Sequence, residues 1–247
     1  MKGGDAIVCV TAYDAVTGAI ADEAGVDLIL VGDSVGNVVL GYETTLPVTL
    51  DHMLHHVAAV RRGVHGTFLV ADMPFGSYQS SAAQAVDSAV ALMRVGAEAI
   101  KLEGAYVDQI EAIVAAGIPV MGHVGMTPQS VNAFGGFKVQ GKGEAGADVQ
   151  AAALAIQAAG AFSIVLELIP SPLAQSITSS LEIPTIGIGA GPFCDGQIQV
   201  FHDLVGLSPQ VFRHAKRYTN AREAFASALS SYAAEVRGRA FPVEPDA

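Results

Sequence analysis

Five times in this chain a short apolar run ends on a polar or charged residue, and that recurrence restricts the architecture more than any other feature. Leu28–Val31 runs into Gly32-Asp33-Ser34. VADMP delivers Asp72, IKLEG delivers Lys101 and Glu103, PVMGHVG delivers His123, and IVLELIP delivers Glu167. Short apolar runs closed by glycine or proline read as strands buried on both faces. Between them an alanine-rich helical stretch, a glycine and a few connecting residues recur, as in DEAGVDLILVG around Gly25 and AAGAFSIVLE around Gly160. Glycine suits the left-handed position that ends a helix. Alternating helix and strand without hairpin signals predicts a parallel sheet.

Eight strands are expected, near residues 7–11, 28–31, 68–72, 99–102, 119–122, 163–166, 185–188 and 199–202, and that number favours a closed barrel over an open sheet. Helices are expected near 49–63, 82–95, 106–116, 147–159 and 172–179, with a C-terminal helix over 221–236. The whole chain, 1–247, is therefore read as a single (β/α)8 TIM-barrel domain with a C-terminal helix. In such a barrel the strand ends share one face, so Asp33, Asp72, Lys101, Glu103, His123 and Glu167 converge on one pocket. The long glycine-rich segment 126–143 breaks the cadence and is expected to cover that pocket.

Composition narrows the function classes. Hydrophobic residues make up 51% of the 247 and charged residues only 15%, which implies a large core and further surface buried between subunits. The formal net charge of −11 disfavours nucleic-acid and acidic-membrane partners. The one basic stretch, 213–222, is broken by neutral residues and reads as a solvated helix face. Cys9 and Cys194 make no disulfide framework, and the opening residues carry no secretory signal, so a cytoplasmic location is expected. The apolar window 148–170 is interrupted by Gln150, Gln157, Gly160 and Glu167, and reads as a buried helix followed by a buried strand rather than a membrane span.

The charged strand ends carry the chemistry. Asp33 and Asp72, on successive strands, would stand side by side. They could hold a hard cation such as Mg2+ with waters and substrate oxygens, or each could cap the following helix. Lys101 and Glu103 are two residues apart, so their side chains point the same way. Lys101 could bind an anionic substrate group and Glu103 support a metal, or the two could form a buried ion pair. Glu167 is a candidate general base; His123 either faces it or is a core histidine bonded to a backbone carbonyl. His52, His55 and His56 are spaced for a metal pair, but lack the glutamate of HExxH and lie past the strand mouth. Gly187-Ile-Gly189-Ala-Gly191 could cradle a phosphate or simply form a tight turn.

Several longer stretches resemble the ketopantoate hydroxymethyltransferase family: TAYD from Thr11, VGDSVGNVVLGYETTLPVT from Val31, ADMPFGSY from Ala71, IKLEG from Ile100, GHVGMTPQSVNAFGGFKVQGK from Gly122, VLELIP from Val165 and IPTIGIGAGPFCDGQ from Ile183. The resemblance implies a (β/α)8 barrel that transfers a hydroxymethyl group from 5,10-methylenetetrahydrofolate to 3-methyl-2-oxobutanoate. The product would be ketopantoate, formed through a Mg2+-stabilised enolate in pantothenate synthesis. It further implies that Asp33 and Asp72 bind the metal and the substrate, with Glu103 completing the metal set through water. Ser34 and Lys101 would hold the keto-acid carboxylate, His123 would line the substrate, and Glu167 would be the base. A cytoplasmic homodecamer is the implied assembly. The chain departs from the family pattern at its ends, where Met1 stands almost on the first strand and an FPxxEH-type ending becomes FPVEP. Two alternatives stand beside this reading. One is a Mg2+-dependent 2-oxo-acid carbon–carbon lyase or mutase of the phosphoenolpyruvate mutase and isocitrate lyase kind, and the other is a non-catalytic barrel.

Overall fold

The computed structural model describes residues 2–209 and 215–243. In chain order the elements are β1 (Ile7–Thr11), α1 (Ala15–Glu23), β2 (Leu28–Val31), α2 (Val35–Val38), α3 (Leu50–Gly63), β3 (Phe68–Asp72), α4 (Ala82–Arg94), β4 (Ala99–Lys101), α5 (Val107–Ala115), β5 (Val120–Gly125), a 3-10 turn (Pro128–Ser130), α6 (Val131–Phe134), α7 (Ala145–Ala158), β6 (Ser163–Glu167), α8 (Ser171–Ser180), β7 (Thr185–Ile188), β8 (Gly196–Gln199), α9 (Phe201–Leu204) and α10 (Ala221–Arg237). The strands are parallel and close in sequence order from β1 to β8, a (β/α)8 TIM barrel. Two compact units divide the chain after Phe201, and the first contains the barrel.

Inside the barrel, alternate residues point inward. Ile7, Cys9, Leu28, Leu30, Val70, Ala99, Met121, Val165, Ile186 and Ile198 form one buried cluster drawn from every strand. Each of the Val, Leu, Ile and Met side chains among them, fully buried, contributes about 1.5–3 kcal/mol. Burial, with the charge of Asp27 adding to it, pushes the Cys9 thiol up to about 12, so it behaves as a small apolar residue. The other strand face is apolar too, because helices cover it: Ile29, Leu69, Ile100, Val120 and Ile164 are completely buried. This double burial explains the continuous apolar runs. Helix α3 shows how the cover is fixed. Its buried residues Met53, Val57 and Val60 recur at four and three residues. Thr49 and His52 close a capping box at its start, and Arg61 and Arg62 lie in its last turn, where the helix dipole favours positive charge.

The helix starts also settle the role of His52 and His56. His52 Nδ1 accepts from the Thr49 N–H at 3.2 Å, and His56 Nδ1 lies 2.6 Å from the Tyr13 carbonyl, so both serve packing of α3. Gly25, Gly96, Gly117 and Gly160 take left-handed backbone after their helices, as the cadence predicts.

Two strand positions differ from expectation. The last strand is 196–199, not 199–202, and Phe201–Leu204 is helical. Gly-Gln-Ile-Gln carries little apolar signal, yet Gly196 registers with both Ile7 and Ile186 and so closes the barrel. Strand β5 runs on to Gly125 because it pairs with all of β6, from Met121–Ser163 to Gly125–Glu167. Residues 189–195 join β7 to β8 without a helix, which makes Gly187–Gly191 a strand end and turn. On β1, the neighbour of β8, Val8 is 52% exposed.

In the second unit, α10 spans 221–237, and Phe225, Leu229, Tyr232 and Val236 are exposed along one stripe. Arg213 of the basic stretch lies outside the described residues; 215–220 are not helical, contrary to the expected helix face. Among the described residues, no helix is long and apolar enough to cross a membrane.

Candidate active site

The inward series of each strand leads to the site. Continuing by two residues, Val70 gives Asp72, Ala99 gives Lys101 and then Glu103, Met121 gives His123, and Val165 gives Glu167. The apolar layer is therefore topped by a charged one at the C-terminal mouth. On β2 the same series reaches Gly32 rather than a side chain. A Cβ there would stand 2.8 Å from Ser34 Oγ and 3.4 Å from Asp72 Oδ2, so glycine makes room for the group next door. The backbone N–H of Asp33 then donates to Asp72 Oδ2 at 3.0 Å.

All the expected residues meet here. Lys101 Nζ donates to Asp72 Oδ1 at 2.5 Å, both side chains being buried, and Asp72 and Lys101 are register partners across β3 and β4. His123 lies between two carboxylates, with Nδ1 3.6 Å from Glu103 Oε1 and Nε2 3.3 Å from Glu167 Oε2. Neither nitrogen has an aligned hydrogen-bond partner, so His123 is not the core histidine tied to a backbone carbonyl. Ser34 Oγ lies 2.8 Å from Tyr13 Oη. The helix-cap alternative for the two aspartates fails as well. The residue capping α2 is Ser34, with no side-chain bond, and α4 is capped by Ser81 accepting from the Gln84 N–H.

The charges are strongly interdependent. Burial, with Asp72 and Glu103 nearby, pushes the Asp33 carboxyl well above the usual carboxylate range. Burial also works against the Lys101 ammonium, but Asp72, Glu103 and Asp33 outweigh it and hold its pKa above the ordinary value. For Glu103, burial opposes ionisation, yet His123, Lys101 and the Gln129 N–H leave the carboxyl below its ordinary value. Burial and Lys101 oppose charge on His123, while Glu103 and Glu167 favour it and raise the imidazole to about 9.

Asp33, Asp72, Glu103 and Glu167 thus outnumber Lys101 and His123. Among the described residues, no three His, Cys, Asp or Glu side chains are grouped to enclose an ion by themselves. A magnesium site does not require such a cage, since Mg2+ keeps several waters and takes one or two carboxylates plus substrate oxygens. Asp33 and Asp72, joined by the Asp33 N–H to Asp72 Oδ2 bond on neighbouring strands, fit that donor set.

Sequence reasoning missed three residues. Tyr13 reaches Ser34, while Tyr78 and Gln129 form a buried network behind Asp33 and Glu103. Gln129 stands at the root of the 126–143 segment, where the 3-10 turn brings it inward. The available signal was a lone tyrosine in the Gly-Ser turn after Asp72 and a glutamine next to Pro128.

A closed parallel barrel with this charged mouth defines a TIM-barrel enzyme. Sequence comparison then sets its kind: the chain belongs to the ketopantoate hydroxymethyltransferase family, whose profile matches residues 1–244, and is a hydroxymethyltransferase. It is 52% identical over 248 residues to the 3-methyl-2-oxobutanoate hydroxymethyltransferase of Thermotoga maritima, covering 99% of this chain and 92% of that one. To the enzyme of the same name from Aeropyrum pernix it is 54% identical over 247 residues, covering 99% and 90%. Among solved structures, phosphonopyruvate hydrolase in complex with oxalate and Mg2+ shares the fold, with a TM-score of 0.63, 16% identity, and coverage of 98% of this chain and 85% of that one.

Proposed function

We propose that this barrel transfers a hydroxymethyl group from 5,10-methylenetetrahydrofolate to 3-methyl-2-oxobutanoate in pantothenate synthesis, with Glu167 as the base. The observation that carries the reading is Glu167 beside His123 at the same mouth as Lys101 and the Asp33–Asp72 pair. A 2-oxo acid offers a carboxylate, a keto oxygen and an acidic C3–H, and the pocket has a complement for each. Lys101 and Ser34 bind the carboxylate. Asp33 and Asp72, with Glu103 acting through water, would hold Mg2+. Bound there, the ion would supply Lewis-acid stabilisation of negative charge developing on the keto oxygen. Glu167 removes the C3 proton, and His123 steadies Glu167 through their contact. The carbon nucleophile so formed bonds to the one-carbon unit of the folate; both C–N bonds of that carbon break, one water supplies the hydroxyl, the folate nitrogens take up the C3 proton and the water's other proton, and tetrahydrofolate leaves. The 126–143 segment, carrying Phe134 and Phe137, shields the mouth from bulk water.

Phosphonopyruvate hydrolase, a barrel of this fold, forms a complex with oxalate and Mg2+, which supports a divalent ion here. The exposed stripe on α10 supports a homo-oligomer, which the family resemblance gives as a decamer, and the cytoplasm as its location.

The test is proton exchange. In D2O with Mg2+, the protein should exchange the C3 hydrogen of 3-methyl-2-oxobutanoate, collapsing the methyl doublet in the NMR spectrum. Glu167→Gln should exchange about 10²–10⁴-fold more slowly while still binding substrate. No exchange by wild type, alone or with tetrahydrofolate, would overturn the transferase reading.

A further inference from the structure

Gln129 is buried, carries no charge, and yet touches both sides of the acidic cluster. Its side-chain Nε2 donates to Asp33 Oδ2 at 2.9 Å and to the Met73 carbonyl at 3.0 Å. Its backbone N–H donates to Glu103 Oε2 at 2.9 Å. Its Oε1 accepts from Gln79 Nε2 at 3.1 Å and lies 2.8 Å from Tyr78 Oη, whose one proton it shares with the Glu103 carbonyl at 3.0 Å. The amide can face only one way. A flip would set its oxygen against the Met73 carbonyl, which cannot donate, and its NH2 against the Gln79 NH2, which cannot accept. Tyr78 is itself pinned, since the Glu103 N–H donates to its Oη at 3.1 Å. Beyond that, the arrangement is chemically selective. Asp33 is crowded by Asp72 and Glu103, and a neutral donor can orient it without consuming the negative charge that a cation needs. An arginine or lysine in this place would compete with the ion instead.

We propose that Gln129 is a positioning residue for metal binding. It fixes Asp33 and Glu103 from behind and ties their orientation to the folding of the 126–143 segment at whose root it stands. The proposal rests on the reading of Asp33 and Asp72 as the Mg2+ ligands. It assigns no contact between Gln129 and the reacting atoms.

The test compares wild type, Gln129→Met and Tyr78→Phe. Each is titrated with Mg2+ by calorimetry, melted without metal, and assayed for C3–H exchange across Mg2+ concentrations. Partners that orient metal-binding side chains typically matter 10–100-fold in affinity. Gln129→Met should therefore bind Mg2+ about 10–100-fold more weakly. Its exchange rate should recover towards wild type as Mg2+ is raised, with KM for the keto acid at saturating Mg2+ little changed. Tyr78→Phe should show a smaller loss in the same direction, because Gln79 still holds the amide, and it keeps the test alive if the methionine variant does not fold. A purely structural role would lower the melting temperature of folded variants and leave their Mg2+ affinity unchanged, and that result would overturn the proposal. Absence of Mg2+ binding by wild type would overturn the metal reading together with the proposal. Wild-type binding matched by both variants would overturn the proposal alone.

Discussion

Removing the ammonium of Lys101 leaves Asp72 buried among other carboxylates with only the Asp33 N–H and whatever cation the site holds. Breaking a buried pair from one side typically costs about 3–5 kcal/mol. Lys101→Met should therefore lower metal-free stability by that order and weaken the keto acid more than about tenfold, since a charge-assisted hydrogen bond to its carboxylate is lost. The double variant Lys101→Met/Asp72→Asn separates the two effects. It should recover much of the stability in urea denaturation and none of the keto-acid affinity in calorimetry. Unchanged affinity in the single variant would make Lys101 a structural residue. Lys101 was legible in the sequence because it continues the inward alternation of an apolar strand, and Asp72, His123 and Glu167 were legible for the same reason. Gln129 and Tyr78 were not, because neither lies on a strand: each is brought inward by a turn after one, where no periodicity fixes which way a side chain points.

At the scale of elements, barrel connections are set by helix starts, and the TAYD stretch shows what one of them does. Asp14 accepts from the Thr17 N–H at 2.7 Å, and the Thr17 hydroxyl takes the Asp14 N–H at 3.2 Å, a capping box opening α1 just past the β1 mouth. An acidic residue so near the site invites a catalytic reading, but its hydrogen bonds are spent on the helix. Asp14→Ala should cost about 1 kcal/mol in chemical denaturation and leave kcat and KM near wild type. A large fall in kcat without loss of stability would place Asp14 in the chemistry. The first seven strands and the longer helices were readable to within three residues, because burial on both sides of a strand or one side of a helix writes itself into the sequence, whereas the four-residue α2 and α6 are too short for that periodicity. Strand β8 was not readable either, because Gln197 is exposed and Gly196 packs against Ile7, so neither carries the apolar signal of the other strands.

For the whole molecule, the barrel alone does not choose between adding a carbon and cleaving a carbon–carbon bond, since a fold shared at 16% identity carries no chemistry with it. Charge balance at the mouth does discriminate among substrates. Among the described residues, Lys101 and His123 are the basic groups in contact with the three carboxylates Asp72, Glu103 and Glu167, and the chain carries a net charge of −11. A monocarboxylate such as 3-methyl-2-oxobutanoate can be matched by Lys101. A dicarboxylate such as 2-oxoglutarate or oxaloacetate brings a second negative group into the same acidic surroundings, where His123, the other basic group of the mouth among the described residues, already lies between Glu103 and Glu167. An unpaired desolvated charge costs on the order of 3 kcal/mol, or about 10²-fold. The rate of proton exchange next to the keto group in D2O, measured for each acid at fixed Mg2+, should therefore favour the branched monocarboxylate by about 10²-fold. Raising ionic strength should narrow the gap only in part, because salt screens the long-range repulsion of the acidic chain and leaves the contact mismatch in the pocket. Equal exchange of the dicarboxylates, or their cleavage to shorter acids, would favour the lyase reading over the transferase.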